Sequence, residues 1–235
     1  MVARTPGGVK GQDARRVIAR AACDLVADGG LDHVSLRRVA SQLGVTTGYV
    51  THYYLDKEDL LEAALRAALD ELTPPEQGWS TNLQEWIDSA VAILPSNGGS
   101  QRFWRVLTAF QAASLNSERL SGVLISYAKS SLSNLTEHLA VHLGCEPERP
   151  ELASLARSIF AFASSVGTTT TTSPGALTAA QARALVRAGT HGLIEEFTHR
   201  NERRQSVVWQ RPLSPGRAAG ANAGAAPAGG ARIMS

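Results

Sequence analysis

The sequence predicts an all-α fold. Apolar residues recur three and four positions apart along most of the 235 residues, and glycine or proline pairs separate these segments. Alternation with period two, the pattern of half-buried strands, is missing from every segment of useful length. The length suits one domain or two small ones. Because only 6% of the residues are aromatic, the core must consist largely of Leu, Val and Ala.

The chain is predicted to begin with a flexible arm and a first helix. Residues 1–11 are rich in glycine and basic side chains, which favours an arm. Helical spacing of apolar residues starts at about Gln12 and continues to Val26. Gly29 and Gly30 then stop the helix, since glycine is the usual residue just past a helix C-terminus.

Three further helices follow at short intervals. Ser35 is placed to cap a second helix, which Gly44 ends, and Thr46 is placed to cap a third that runs to about Tyr54. Asp56 is placed to cap a fourth, longer helix. This helix is expected to fade near residue 73, where two prolines end it.

The pattern stays helical over the body of the chain. Helices are predicted near 79–94, 101–115, 118–143, 150–170 and 178–199. The five threonines at 168–172 are β-branched and are expected to distort the end of a helix locally. From about Arg200 the composition reduces to Gly, Ala, Pro and Arg, so a disordered tail is predicted over 200–235.

Charge is unevenly distributed along the chain. Residues 1–52 carry a net charge of +3, residues 53–199 carry −6 and residues 200–235 carry +5, which together give +2. An acidic body with basic ends repels a polyanion everywhere except at those ends. Ordinary surface charge explains the same sums equally well.

The second and third predicted helices, with the glycine-containing turn between them, form a helix-turn-helix. At about 100° per residue, Val50 and Tyr54 fall on one side of the third helix, and Gly48, Tyr49 and His52 fall on the opposite side. That outward side carries a glycine, a phenol and an imidazole, which can approach base edges in a major groove. The flanking residues whose hydroxyl or ammonium groups can hold phosphates are Thr46, Thr51, Tyr53 and Lys57.

One long ordered pattern carries a family resemblance. Its residues are Ile18, Ala21, Ala22, Gly30, the stretch 35–40, the stretch 43–46, Gly48, Tyr54, Lys57, Leu60 and Leu61. Over 14–66 the chain thereby resembles the DNA-binding domain of the TetR family of bacterial transcriptional regulators. The resemblance implies that Ser35, Thr46, Tyr53 and Lys57 grip phosphates and that Thr47, Gly48, Tyr49 and His52 face bases. The complete predicted DNA-binding set is Ser35, Arg37, Thr46, Thr47, Gly48, Tyr49, Thr51, His52, Tyr53 and Lys57.

The body of the chain is similar to one branch of that family. Most members have a tyrosine where this chain has Thr51, and the variant at 51–54 is similar to the choline-sensing regulators of betaine synthesis. Phe103 and Trp104 leading to Phe110 are also similar to that branch. The resemblance implies that the last two helices pair with those of a second subunit and that the middle helices enclose a ligand cavity. The chain departs from the branch at 164–172, where relatives are more aliphatic, which leaves cavity lining and helix continuity open there.

Aromatic residues of the middle helices are the candidates for lining that cavity, although core packing explains any one of them better. The candidate set is Trp86, Phe103, Trp104, Phe110, Tyr127 and Phe162. His138 and His142 share a helix face and precede Cys145, a set that can ligate zinc, but no fourth ligand is evident. Solvated histidines are favoured, so neither a metal nor a cofactor is expected. Cys23 is expected to be a small buried apolar residue.

Enzymatic activity is not expected, and no catalytic residue is assigned. The sequence contains no nucleophile elbow, zinc-protease histidine pair, phosphate loop or dinucleotide fingerprint. The 2 cysteines cannot form a disulfide framework, and Pro6, Gly7 and Gly8 lie where the apolar stretch of a signal peptide would begin. The most apolar window, 152–166, is too short to span a bilayer. A cytoplasmic protein without membrane association is therefore expected.

These inferences combine into one functional hypothesis. An N-terminal three-helix DNA-binding domain with a helix-turn-helix, 12–55, is followed by a helical ligand-binding and dimerisation domain, 56–199. The expected protein is a homodimeric repressor that a small-molecule effector of unknown identity releases from an inverted-repeat operator in double-stranded DNA. Two alternatives stay open: a nucleoid-type DNA-binding protein without a small-molecule ligand, and a helical enzyme or binding module whose helix-turn-helix is vestigial.

Overall fold

A computed structural model describes residues 8–71 and 82–209, with side chains over 11–71 and 82–203. The described residues contain no strand, so the all-α prediction is confirmed. The chain divides into two compact units, 1–199 and 200–235, and the helical packing below is that of the first. None of the helices in the described ranges is long and apolar enough to cross a membrane.

The described residues form nine α-helices and one 3₁₀ turn, which are joined by loops. The helices are α1 (Gly8–Gly29), α2 (Leu36–Leu43), α3 (Thr47–Tyr53), α4 (Lys57–Asp70), α5 (Leu83–Ala92), α6 (Gly98–Ser114), α7 (Glu118–Leu143), α8 (Pro150–Thr172) and α9 (Ala179–Trp209). The 3₁₀ turn, Leu31–His33, lies between α1 and α2 and was not predicted from the sequence.

The three predicted helix caps are confirmed by their hydrogen bonds. The Oγ of Ser35 accepts from the backbone N–H of Arg38 at 3.2 Å, and the Oγ1 of Thr46 accepts from that of Tyr49 at 3.2 Å. An oxygen of Asp56 accepts from the N–H of Asp59 at 2.7 Å. Each bond satisfies a helix N–H that has no partner inside its own helix. The caps thereby fix where α2, α3 and α4 begin.

A single apolar core runs from α1 to α9. At the N-terminal end, α1 packs against α2, α3 and α4, and Ile18, Val39, Val50 and Leu60 are fully buried between them. In the body, α6 packs against α7 and α8. Because α4 follows α3 in the chain and contacts α1, α6 and α7, it joins the helix-turn-helix to the body.

Two glycines allow close packing in the body. A Cβ at Gly167 of α8 would collide with the indole of Trp104, and one at Gly189 of α9 would collide with the ring of Phe162. Each aromatic ring therefore lies directly on the backbone of a neighbouring helix. Polar bonds add to the packing between α5 and α9, where the guanidinium of Arg187 donates to the carboxylate of Asp88 at 2.6 Å.

Several predicted boundaries are corrected. Helix α1 already begins at Gly8, inside the stretch expected to be an arm, and α9 continues to Trp209 rather than ending at 199. The threonines at 168–172 are part of α8, which continues to Thr172, and hydroxyls of this run donate to carbonyls one turn back, as Thr170 does to Val166 at 2.7 Å. The remaining predictions for 1–7, 72–81 and 210–235 lie outside the described residues.

Candidate nucleic-acid interface and effector region

The two sides of α3 differ as the sequence predicts. Val50 is 0% exposed and Tyr54, directly after the helix, is 2% exposed, whereas Tyr49 is 43% exposed. Gly48 and His52 are exposed on the same side as Tyr49. The predicted facing of the helix is confirmed, and contact of its outer side with bases stays a prediction.

Tyr54 anchors the end of α3 to α1. Its hydroxyl donates to the backbone carbonyl of Arg15 at 2.8 Å, and the guanidinium of Arg15 lies 4.9 Å from the centre of its ring. Burial raises the pKa of Tyr54, so the phenol stays protonated and keeps its donor at neutral pH. The end of α3 is thus held against α1 by the buried ring of Tyr54 and one partly buried hydrogen bond.

Gly48 has no packing role within the chain. A Cβ at this position would meet only the Oγ1 of Thr46, at an ordinary contact distance of 3.8 Å. The packing of the described residues therefore does not require a glycine at this position. Close approach of DNA to the backbone of α3 at Gly48 stays a prediction.

Three aromatic side chains form a cluster on the exposed side of α3. The Tyr53 ring lies 5.3 Å from that of Tyr49 and 4.9 Å from that of His52, measured between ring centres. Both contacts are edge-to-face, a favourable arrangement for aromatic quadrupoles. Interaction with the Tyr49 hydroxyl raises the pKa of Tyr53.

The other predicted phosphate-binding residues lie on or directly before α2, α3 and α4. Ser35 and Thr46 use their hydroxyl oxygens to accept cap bonds, so each keeps its own hydrogen to donate outward. Arg37 lies in the first turn of α2 and Lys57 is the first residue of α4, both exposed. Thr51 is exposed too, but its hydroxyl donates to the carbonyl of Gly48 at 3.1 Å. While that bond persists, the Thr51 hydroxyl can only accept a hydrogen bond from a group outside the protein.

Sequence reasoning did not single out Leu55. Its side chain is 89% exposed in the connection between α3 and α4, beside Lys57. Leu55 is an apolar residue outside both helices, between Tyr54 and the cap residue Asp56, and this position could have marked it as unusual from the sequence alone. The adjacent backbone is well defined, because the N–H of Leu55 donates to a carboxylate oxygen of Asp59 at 3.1 Å.

The predicted effector residues lie in the helical body, and three of them are buried in its core. Trp104 and Phe110 are buried in the core, and the indole N–H of Trp104 donates to the carbonyl of Ile93 at 2.9 Å. Phe103 packs edge-to-face on Trp104, with ring centres 6.0 Å apart. Trp86 is also buried, and its ring lies 6.3 Å from that of His142.

Two other candidates differ in their surroundings. Phe162 lies against Gly189 of α9, as described above, and is half-buried. Burial raises the pKa of Tyr127, and its interaction with Ser131 partly opposes that shift. A buried hydroxyl without a partner is found at Thr108 of α6, one turn after Trp104. It is a polar group in the body that sequence reasoning missed.

Two surface cavities in the described part of the body are lined by other residues. One of about 340 Å³ lies between α7 and α8 and includes Glu137, Glu148 and Arg157. The other, of about 430 Å³, lies at the turn from α6 to α7 beside Leu115 and Ile125. A role for the six aromatic residues in ligand binding therefore stays a prediction.

The residues considered for metal or redox chemistry have ordinary surroundings. Within the described ranges, no group of three or more His, Cys, Asp or Glu side chains is arranged to hold a metal ion. Cys23 is buried, as the sequence predicts, and its thiol donates to the carbonyl of Ala64 at 2.9 Å. Burial raises the pKa of Cys23 to about 12, so the reactive thiolate is scarce at neutral pH.

Comparison with known proteins identifies two family segments. Residues 18–64 match the family described as bacterial regulatory proteins, tetR family, and residues 84–195 match that of the C-terminal part of the BetI-type transcriptional repressor. The chain belongs to the TetR family. The first match covers α2, α3 and just over half of α1 and of α4, and the second covers α6 to α8, nearly all of α5 and about half of α9.

Individual members of the TetR family are distant in sequence. The chain is 26% identical over 117 residues to the HTH-type transcriptional regulator BetI of Klebsiella pneumoniae, covering 49% of this chain and 54% of that protein. Against BetI of an Escherichia coli strain it is 28% identical over 130 residues, covering 52% and 65%. The chain thus spans about half to two thirds of the length of these curated relatives.

Solved structures of TetR-like regulators share the fold. A transcriptional regulator from Rhodococcus sp. Rha1 has a TM-score of 0.67 at 22% identity, covering 77% of this chain and 96% of that one. A regulator from Saccharomonospora viridis, solved in complex with choline, has a TM-score of 0.64 at 19% identity, covering 75% and 95%. At these identities the likeness concerns the fold.

Proposed function

We propose that this TetR-family protein is a sequence-specific DNA-binding repressor that acts as a homodimer and is released from its operator by a small molecule. The outer side of α3 carries the proposal. Gly48 leaves the backbone open to close approach, and Tyr49 and His52 stand beside it with hydrogen-bonding groups. These are the requirements for reading base edges in a major groove.

Electrostatics supports binding through this end of the molecule. Residues 1–52 carry a net charge of +3 and residues 53–199 carry −6, so a polyanion is repelled by the body and accepted near the helix-turn-helix. Exposed Arg37 and Lys57 lie on the flanks of α3, where backbone phosphates would pass. We assign 12–55 to DNA binding and 56–199 to ligand binding and dimerisation, and we place the protein in the cytoplasm, where operator DNA is found.

The dimer is proposed to form through α8 and α9. Small residues are exposed along α9 at Ala184, Ala188 and Gly192, beside Leu185, which is 43% exposed. Small side chains allow two helices to approach closely, and a two-fold axis pairs the same surface of both subunits. Ile194 of α9 is only 6% exposed and belongs to the core of its own subunit, so it is not part of the proposed interface.

A two-fold dimer presents two copies of α3 to the DNA. Half-sites of such an operator must lie about 34–36 Å apart, or a multiple of that distance, for both helices to enter major grooves. Helix α4 connects each α3 to the body, so a ligand that tilts α4 changes the separation. Loss of a hundredfold in operator affinity requires only about 2.7 kcal/mol of coupling.

The first effector class to test is a small quaternary ammonium compound such as choline. The structural relative from Saccharomonospora viridis was solved with choline, and the C-terminal half of this chain matches the BetI-type repressors. Aromatic faces bind such cations favourably. The body supplies Phe103 and Tyr127 as half-buried aromatic side chains, together with the unpartnered hydroxyl of Thr108.

Footprinting on DNA selected from a random pool tests the DNA-binding part of the proposal. A repressor of this kind protects one short inverted repeat, with half-sites about one or two helical turns apart. A nucleoid-type protein protects DNA broadly and yields no common motif. Broad protection at physiological salt would overturn the proposal, and absence of binding would favour the third alternative, a body with a vestigial helix-turn-helix.

Titration of choline with and without operator DNA tests the effector part. Linkage requires that choline weaken operator binding and that operator weaken choline binding by the same factor. The fluorescence of Trp86 and Trp104 offers a signal for binding in the body. Release of DNA by choline with equal choline affinity in both states would contradict allosteric release, and absence of any choline binding would exclude this effector while leaving DNA recognition standing.

A further inference from the structure

Arg15 lies on the inward side of α1, where this helix meets the end of α3. At about 100° per residue, it shares a face of α1 with Ile18, Ala19 and Ala22. Those three residues are at most 3% exposed, whereas Arg15, one turn earlier, is exposed. The apolar stripe that packs α1 against the other N-terminal helices therefore leaves the core at Arg15.

The guanidinium of Arg15 is held against the ring of Tyr54, 4.9 Å from its centre, and the Tyr54 hydroxyl donates to the Arg15 carbonyl at 2.8 Å. A cation–π contact leaves a guanidinium, which has five N–H donors, able to bind a further partner. Among the described residues, no carboxylate or carbonyl oxygen accepts from these donors. The carboxylate of Asp59, at this end of α4, accepts from the N–H of Leu55 at 3.1 Å and forms no ion pair with Arg15.

The neighbouring arginines of α1 are used differently. Arg16 is paired with Asp13 at 2.7 Å, and Arg20 is paired with Glu71 at 3.1 Å. Each of these two positive charges is thus balanced within the chain. Arg15, by contrast, offers an oriented positive charge whose hydrogen-bond donors have no acidic partner in the described part of the chain.

We propose that Arg15 binds a DNA backbone phosphate, so that α1 adds a contact to those of the helix-turn-helix. The inference rests on the proposed DNA-binding function and adds a residue that the sequence-predicted set lacks. Tyr54, over which the guanidinium lies, directly follows α3, and Lys57 begins α4 three residues later. Two cations therefore stand near the end of the helix that is proposed to enter the major groove, where backbone phosphates pass.

The chemistry of the side chain agrees with this partner. A guanidinium can donate two parallel hydrogen bonds to the oxygens of one phosphate, which the single ammonium of a lysine cannot match. The contact with Tyr54 limits the positions open to the side chain before DNA binds, so less conformational entropy is lost on binding. Because every nucleotide carries the same phosphate, this contact contributes to affinity for any sequence and not to the choice of operator.

Three variants separate a phosphate contact from a general effect of charge. Arg15→Gln removes the charge, and Arg15→Lys keeps it. Arg16→Gln is the matched control, because it makes the same change in net charge one residue away, at an arginine that is already paired. Each variant is compared with the unchanged protein for affinity to the selected operator and to random-sequence DNA over a range of salt concentrations.

A phosphate contact predicts a uniform loss of affinity. Arg15→Gln should weaken operator and random-sequence DNA by the same factor, roughly five- to tenfold near 0.1 M salt, and should reduce the salt slope by roughly one unit. Arg15→Lys and Arg16→Gln should keep the salt slope. Equal losses in Arg15→Gln and Arg16→Gln would show a long-range effect of charge, and an unchanged slope in Arg15→Gln would show that no phosphate is bound. Either result would overturn the inference.

Ethylation interference on the selected operator locates the contact. The unchanged protein and Arg16→Gln should be sensitive to ethylation at the same phosphates, and Arg15→Gln should lose this sensitivity at one phosphate in each half-site. If Arg15 only braces Tyr54, Arg15→Gln would lower stability in urea unfolding and leave the interference pattern intact, which would overturn the inference. Failure of the unchanged protein to bind DNA would instead overturn the proposed function.

Discussion

At the scale of single residues, Gly48 links the fold to the proposed recognition of DNA. Alanine fits at this position, and the neighbouring atoms leave room for its methyl group. Gly48→Ala should therefore leave the free energy of unfolding unchanged or raise it by up to about 1 kcal/mol. Operator affinity should nevertheless fall at least tenfold, because the methyl group occupies the space that close approach to DNA needs. Both quantities are accessible by urea unfolding and by titration of labelled operator.

Gly122 of α7 provides the matched control for that substitution. It is also an exposed helical glycine, open space surrounds the position that a methyl group would take, and it lies far along the chain from α3. Gly122→Ala should give the same small change in stability without any change in operator affinity. Equal losses of operator binding in the two variants would contradict the role given to Gly48.

A substitution at Gly167 of α8 should, unlike the one at Gly48, lower the stability of the protein. A methyl group here meets the indole of Trp104, whose N–H is committed to the carbonyl of Ile93, so the ring cannot move without breaking that bond. Gly167→Ala should lower the free energy of unfolding by about 1–3 kcal/mol, the usual cost of overpacking a core. Urea unfolding beside Gly122→Ala measures the difference. A Gly167→Ala protein as stable as the control would show that Trp104 is not packed as described.

At the scale of helices, a polar contact region joins α4 to the start of α7. The hydroxyl of Ser117 donates to Glu58 at 3.0 Å, and the guanidinium of Arg119 donates to Glu62 at 3.1 Å. Hydrogen bonds from Arg66 and then from Arg119 lower the pKa of Glu62. Because α4 follows α3 directly in the chain and packs against α1, this region connects the position of α3 to the body.

The lowered pKa gives this contact region a defined pH dependence. A glutamate in the unfolded chain has a pKa of about 4.3. A carboxyl group whose pKa is lower in the folded state stabilises the protein at pH values above the unfolded pKa. This stabilisation is lost as the pH falls through the folded pKa. Arg119→Gln should therefore destabilise the protein at pH 7 by about 0.5 kcal/mol, a small value because Arg119 is 45% exposed. The difference from the unchanged protein should disappear once Glu62 is protonated.

Urea unfolding at pH 7 and below the titration of Glu62 measures that difference. Arg66→Gln is the matched control, since it removes a bond to the same carboxylate within α4 and leaves the contact between helices intact. Only Arg119→Gln should also alter the response of operator binding to effector. A stability difference that persists unchanged at low pH would rule out the ion pair as its cause.

The caps were predictable from the sequence and the contact region was not. Ser35, Thr46 and Asp56 each bond to a backbone N–H three residues ahead, so both partners can be recognised in one short stretch. The bonds from Ser117 and Arg119 to α4 join residues 59 and 57 positions apart. These bonds depend on how the two helices pack against each other, and the apolar spacing within one helix gives no information about that packing.

The same distinction applies to the candidate sites. The inner and outer sides of α3 follow from the helical repeat, and Val50 and Tyr54 are buried as predicted. Aromatic spacing in the body could not tell a core residue from a cavity residue, because both lie on inward faces. The packing of Trp104 on Gly167 and its hydrogen bond to Ile93 show that this side chain is part of the core, and neither contact can be read from the sequence.

At the scale of the whole molecule, dimerisation determines whether one subunit can act alone. The exposed Ala188 and Leu185 of α9 lie at the centre of the proposed interface. Replacing both with glutamate places four carboxylates against one another across a two-fold axis, and like charges in a desolvated interface are costly. Light scattering should then show monomers, and operator affinity should fall by orders of magnitude, since each subunit reads only half of the site. A stable monomer from the unchanged chain at micromolar concentration would contradict this architecture.

The most direct test of the whole account compares Tyr49→Ala with Lys57→Ala on operator and on scrambled DNA over a range of salt concentrations. The account predicts that Tyr49→Ala lowers the preference for operator by about 1–3 kcal/mol and leaves the salt slope unchanged. It predicts that Lys57→Ala weakens binding to both DNAs alike and reduces the salt slope by roughly one unit. If Lys57→Ala altered sequence preference while Tyr49→Ala did not, the outer side of α3 would not be the surface that reads DNA.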